Sequence, residues 1–273
     1  MFAKLLKHEF RSQQKLLTIL SIAALGAGLI GGITMWFLFR LVNDATNEPA
    51  TAIGGILSAI VLMGIILAIA AYVITVWILL VYRFYKHHFS QEGYLTFTLP
   101  VTTHQLLHSS ITNIVIWILI SGVVCAVAVC MIFAPILYQA VEEGFRISYL
   151  ESYFRELFSF ITPGQMALRG LSALTSFVYS TLMPLVCIAI GTLMTKKYRL
   201  LASFGLYYGI NMLMSAFTGI FTVAITISGV SSPDSGERLL TLSQLVPIVL
   251  QLGLSVAGYF LMHRTMDKKL NLP

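Results

Sequence analysis

Charge is scarce in this chain. Of its 273 residues, 17 are Lys or Arg and 11 are Asp or Glu, so charged side chains make up 10%. Ordinary soluble domains hold roughly 25%. With apolar residues at 58%, too little polar surface remains to clothe a soluble fold. Cysteine is also rare. Cys125, Cys130 and Cys187 lie inside apolar runs, read as small buried hydrophobes and imply no disulfide framework. Ionisable residues are missing from the middle of every long apolar run. Proton-driven carriers, pumps and voltage sensors rely on buried acids, bases or arginine arrays, so their absence argues against those classes. Sodium coupling stays open, because carbonyls and hydroxyls bind sodium. A phosphate-binding loop is absent as well. Gly191-Thr-Leu-Met-Thr-Lys196-Lys197 lacks the second glycine and the Lys-Ser/Thr ending of the nucleotide motif. Neither a Ser–His–Asp nor a Cys–His constellation is supported by spacing, and no repeat or low-complexity tract interrupts the chain.

What is present is a series of uncharged windows: Leu16–Phe39, Pro49–Tyr82, Gly93–Val141, Gly170–Thr195, Leu200–Pro233 and Leu239–His263. Each holds the ~20 apolar residues needed to cross a bilayer core of ~30 Å. Continuous apolar runs, in place of short alternating segments, point to helices and away from a β-barrel. The expected fold is an all-α integral membrane protein forming one domain over residues 1–273. Its six transmembrane helices are expected at about 17–42, 52–82, 111–138, 166–194, 201–228 and 242–263. The first run is too long for a cleavable signal peptide and is not followed by a small-residue cleavage site.

Charge asymmetry predicts orientation. With both termini and the second and fourth connections on one side, that side holds 12 of the 17 Lys and Arg residues and all six histidines. Asp44, Glu48, Glu142, Glu143, Glu151, Glu156, Asp234 and Glu237 fall on the other. Cytoplasmic loops carry the excess of Lys and Arg, so both termini are expected in the cytoplasm. The net charge of +6 then reflects topology, with attraction to anionic lipid as a secondary effect. No soluble basic domain exists to bind nucleic acid.

Residues 1–17 place Phe2, Leu6, Phe10 and Leu17 near one helical face and Lys4, Lys7, Arg11 and Lys15 near another. This spacing predicts an amphipathic interfacial helix or, more plainly, a basic flank orienting the first span. Gly28 and Gly32 form a small-xxx-small pair that permits close helix approach, such as a dimer face. In the third connection, Tyr149, Leu150, Tyr153, Phe154, Leu157 and Ile161 share an apolar face, expected to lie on the outer leaflet. Thr162-Pro163-Gly164-Gln165 supplies a helix start: an N-cap, a Pro at N1 and a Gln at N3. The fifth span carries a polar stripe, Asn211, Ser215, Thr218, Thr222 and Thr226, within about 80° at ~100° per residue. It reads either as the lining of a pathway or subunit interface, or as hydroxyls bonding back to their own helix. A second face of that span carries Gly205, Gly209 and Ala216.

The longest polar stretch inside the charge-rich side is Arg83–Ser110, RFYKHHFSQEGYLTFTLPVTTHQLLHSS. It holds four of the six histidines, a Pro-broken loop and a predicted short helix over Thr103–Ser110. His104 and His108 have the i,i+4 spacing that holds a metal on a helix face, but no acid stands at catalytic spacing. A docking surface is the plainer reading of these side chains.

Six spans, a basic amphipathic start and a cytoplasmic helix between spans two and three make a recognisable set. The chain resembles the ABC-2 type permease subunits of Gram-positive bacteria. The most specific match is GYLTFTLPVTTHQLLHSS, Gly93–Ser110, where a Thr-Leu-Pro-Val phrase precedes a Gln-Leu-Leu-like core. Lys4-Leu-Leu-Lys-His-Glu-Phe10 is similar to the family's opening. Many members carry a lysine near the end of the coupling helix, where this chain has Ser110. The resemblance implies a transport subunit with no catalytic or cofactor site of its own, ATP and Mg being bound by a partner ABC ATPase. It implies a coupling helix at Thr102, Thr103, His104, Gln105, Leu106, Leu107 and His108, with the two leucines as docking residues. It also implies a second permease subunit, identical or related, and a bacterial plasma-membrane location. Export of an amphipathic substrate, such as a peptide antibiotic, follows as the expected activity. A motorless channel or secondary carrier, or a membrane sensor or scaffold, are the alternatives.

Overall fold

The structure, a computed structural model, describes residues 2–43, 48–90, 102–142, 151–152, 155–156, 162–195, 198–229 and 236–268. The described residues are overwhelmingly helical and include no strand. Six long helices follow one another: α1 Phe2–Asn43, α2 Glu48–Phe89, α3 Thr103–Glu142, α4 Pro163–Met194, α5 Arg199–Gly229 and α6 Gly236–Lys268. Each is long and apolar enough to cross a membrane. Only a helix or a closed barrel satisfies its backbone polar groups inside hydrocarbon. The fold is that of a multi-pass helical membrane protein.

Two expected boundaries are absent. The interfacial helix over residues 1–17 and the first span form one uninterrupted helix of 42 residues. The predicted short helix Thr103–Ser110 is likewise the start of a single 40-residue helix, α3. The physical reason is the same in both places. Neither junction contains a proline or a glycine, the residues that break a helix, so hydrogen bonding propagates once the first turn exists. At ~1.5 Å per residue, a helix of about 40 residues spans ~60 Å, twice a bilayer core. α2 behaves similarly, continuing through Arg83 and Lys86 to Phe89. The first seven residues of the polar stretch are therefore helix.

At the start of α4 a proline does mark the helix end. α4 begins at Pro163, and Thr162 caps it with extended backbone (φ −67°, ψ 149°) while its hydroxyl accepts from the Gln165 N–H at 3.4 Å. Pro135, Pro184 and Pro247 sit inside α3, α4 and α6, a placement membrane helices tolerate when neighbours satisfy the freed carbonyls. The outer-leaflet helix expected over Tyr149–Ile161 lies largely outside the described residues. Glu151, Ser152, Arg155 and Glu156 are helical, and Arg155 donates to Glu151 at 3.2 Å.

The chain divides into two compact units. One comprises Ala3–Leu80 and Thr112–Glu156. Within it α1 packs on α3 through glycines: a Cβ on Gly28 would stand 3.0 Å from the Ala128 Cα, and one on Gly32 would stand 2.5 Å from the Met131 carbonyl oxygen. The small-xxx-small pair therefore serves contact within this chain and is not a free dimer face. Phe10 stacks on Trp117 at 4.8 Å, and the Ser21 and Tyr72 hydroxyls meet at 3.0 Å.

The other unit comprises Met1–Phe2, Val81–Ile111 and Leu157–Pro273. Its centre is α4, which packs against both α5 and α6 and buries Tyr179, Met183, Leu185, Ile188 and Ala189. Ser176 Oγ donates to Gln251 Oε1 on α6 at 3.0 Å, the kind of interhelical bond that substitutes for the weak hydrophobic drive in lipid. α5 approaches α4 closely where Gly191 faces Ser203. A Cβ there would overlap the Ser203 hydroxyl and stand 2.8 Å from its backbone N. We expect Gly191→Ala to lower the unfolding midpoint measurably in mild detergent. Adding Ser203→Ala should restore only part of the loss, because the backbone obstacle remains.

Candidate functional site

The start of α3 is the best-formed polar element in the second unit. Thr102 caps it: its carbonyl accepts from the Leu106 N–H at 3.2 Å and its hydroxyl from the Gln105 N–H at 3.4 Å. Capping satisfies backbone donors that would otherwise have no partner. The helical period then divides the segment into two faces. His104, Gln105 and His108 are exposed along with Thr102, and Thr103 is half-buried. Leu106 and Leu107 point the opposite way and are 2% and 0% exposed. The two leucines thus belong to the core in this structure, and the outward face of the segment is His104–Gln105–His108. Apolar side chains in a turn with polar neighbours follow the helical period, and here that period turns them inward.

The inward face is held by a third histidine. His88, at the end of α2, is completely buried. Its Nδ1 lies 3.1 Å from the Phe84 carbonyl and its Nε2 lies 3.3 Å from the Ser110 hydroxyl. Ser110 is itself buried, so the position at which the resembled family carries lysine is here part of an internal hydrogen bond. Arg199, at the start of α5, directs a guanidinium N–H at the Phe89 carbonyl from 3.5 Å, a cation at a helix C-terminus where the dipole favours it.

The outward face meets α6. His104 Nδ1 lies 3.1 Å from the Tyr259 hydroxyl, and His108 Nε2 lies 3.3 Å from the same oxygen. The His104 ring also stacks on His263 with centroids 3.8 Å apart and planes 26° from parallel. Both helices contribute residues at i,i+4 spacing, so the contact is a two-by-two ladder: His104 and His108 from α3, Tyr259 and His263 from α6. Among the described residues no group of three His, Cys, Asp or Glu converges as metal ligands would. Stacked rings set their nitrogens side by side and do not aim them at one point.

The polar stripe of α5 bonds mostly to its own helix. Asn211 Nδ2 donates to the Tyr207 carbonyl at 2.9 Å, Thr218 to Met214 at 2.8 Å, and Thr222 to Thr218 at 2.8 Å. Ser215 and Thr222 are exposed and Asn211 and Thr218 half-buried, while the side chain of Thr226 lies outside the described residues. A Cβ on Gly205, Gly209 or Gly219 would meet nothing within 4 Å. These three glycines therefore face open space, and so do Tyr208 and Met212, each 75% exposed.

Two contributors to this site escape sequence reasoning: Tyr259 and His263. Tyr259 and His263 repeat the i,i+4 spacing of His104 and His108 at the end of the last apolar run, a signal that is visible only once the two segments are known to meet. The fold and the site together define a six-helix, multi-pass membrane protein with a polar ladder joining the start of α3 to the end of α6. No family model, curated protein or solved structure matches the chain.

Proposed function

We propose that this chain is the membrane-spanning permease subunit of an ABC transporter of the ABC-2 type, driven by a separate ATP-binding subunit. It exports an amphipathic substrate, with a peptide antibiotic the leading candidate. The observation that carries the reading is the exposed, capped turn His104–Gln105–His108, which is continuous with a membrane-crossing helix. A capped turn anchored by its buried leucines, with Gln105 exposed between two histidines, is a prepared surface for a soluble partner. Its position in the sequence is that of the coupling helix in the resembled family. The positive charge excess supports a cytoplasmic position for this end of α3 and both termini, where an ATPase would dock. ATP and Mg belong to that partner.

The second permease subunit is assigned to α5. Its outward side is open along Gly205 and Gly209, and of the proposed interface stripe (Asn211, Ser215, Thr218, Thr222 and Thr226) the side chains of Asn211, Thr218 and Thr222 bond within the helix. Such a surface presents few unpaired donors to either lipid or a pathway, which suits an amphipathic cargo.

The test is co-purification in mild detergent followed by identification of the bound proteins. The wild-type chain is expected to bring down a soluble ATPase. Gln105→Trp, which adds bulk at the centre of the exposed face, should reduce the recovered ATPase about tenfold, the scale of a disrupted interface centre, with the permease itself unchanged in yield. Absence of any ATPase from the wild-type preparation would overturn the reading.

A further inference from the structure

We propose that Tyr259 is the pin through which the first two turns of α3 move α6. This rests on the permease reading for the origin of the force, but the pin itself is a property of this chain alone.

One phenol oxygen lies within hydrogen-bond distance of two imidazole nitrogens, His104 Nδ1 at 3.1 Å and His108 Nε2 at 3.3 Å. A phenol has one O–H to donate and lone pairs to accept. With neutral rings, one imidazole nitrogen accepts the phenol proton and the other donates its N–H to the phenol oxygen. The two bonds lie one turn apart on α3. Two anchors a turn apart resist both sliding and rotation of that turn against α6, which one bond does not. The His104–His263 stack at 3.8 Å adds a flat contact one turn further along α6. One turn of α6 before Tyr259, Ser255 is buried and its hydroxyl bonds the Gln251 carbonyl, and Gln251 accepts from Ser176 of α4. Motion delivered to Tyr259 therefore enters a helix already bonded to the centre of its unit.

The docking face of α3 and the pin share His104 and His108, whereas Gln105 belongs to the face alone. Gln105 is exposed and lies outside the ladder, so a partner's seat and the pin are open to independent substitution. Tyr259→Phe removes one oxygen and both bonds while keeping the ring. Tyr259 is thus a positioning residue, acting through His104 and His108.

The experiment has two arms. In the isolated wild-type chain in detergent, amide hydrogen exchange over residues 256–266 is compared with that of Tyr259→Phe. Loss of two bonds is expected to speed exchange there about tenfold, with residues 176–189 of α4 unchanged. Unchanged exchange over 256–266 would show that no pin exists. In the second arm, wild-type and Tyr259→Phe complexes are purified with their ATPase, and a spin label at exposed position 256 is read before and after saturating ATPγS. Equal ATPase recovery with a label response cut to less than about a third supports transmission through Tyr259. An equal label response in both complexes would overturn it. Failure of any ATPase to co-purify with wild type removes the permease reading and the transmission with it, whereas the exchange arm still decides whether the pin stands.

Discussion

Leu107→Asp is expected to cut the yield of folded, monodisperse protein more than tenfold, whereas Gln105→Asp, two residues earlier, leaves it unchanged. Leu107 is 0% exposed and Gln105 is exposed. Removing a buried leucine side chain costs about 2–5 kcal/mol. Placing an unpaired carboxylate in the same space adds several kcal/mol of desolvation, even after relaxation. Together these approach the whole stability of a typical fold, about 5–15 kcal/mol. Size-exclusion profiles of fluorescently tagged chain from membrane extracts would measure the difference. A normal profile for Leu107→Asp would mean that its side chain faces solvent. The prediction matters for function, because Leu106 and Leu107 are the residues that the family resemblance offers as docking leucines. Loss of a partner on substituting them would report a broken core. The exposed Gln105 is the position at which docking is separable from folding.

Gly32→Leu should destabilise the chain by about 3 kcal/mol, at the upper end of the usual 1–3 kcal/mol range for overpacking. The obstacle is backbone: the new Cβ would stand 2.5 Å from the Met131 carbonyl oxygen and 3.3 Å from its carbon. A side chain rotates away, but a helix backbone moves only with its neighbours. At Gly26, on the same helix, an added Cβ meets nothing within 4 Å, so Gly26→Ala should raise local helix stability slightly, because glycine is about 1 kcal/mol less favourable than alanine in a helix interior. Thermal unfolding of both variants in one detergent would separate them. Equal midpoints would show that α1 and α3 do not touch at Gly32.

The six spans were legible because lipid imposes a single requirement, a run of apolar residues long enough to cross it, which a linear sequence displays directly. The start of α4 was legible for a similarly local reason: Thr162, Pro163 and Gln165 act within one turn. The interfacial helix and the short helix before span three were not separate elements. Polarity changes at residues 17 and 110, but polarity alone does not end a helix, and no Pro or Gly stands at either junction. The self-bonded state of the α5 stripe was one of two readings that its spacing allowed. The distances from Asn211, Thr218 and Thr222 to carbonyls one turn back show bonding within the helix for these three side chains, which spacing alone does not record.

By itself, the sequence determined that the chain is helical, which of its runs are long and apolar enough to cross a membrane, and which residues share a helical face. These follow from hydropathy and the 3.6-residue period, both of which act over short distances along the chain. The tertiary structure decided which face is inside. It buried Leu106, Leu107, His88 and Ser110, turned Gln105 outward, closed Gly28 and Gly32 against α3, and brought Tyr259 and His263 to His104 and His108 across about 150 residues of chain. Contacts of that span depend on how whole helices cross, and no local pattern of residues records it.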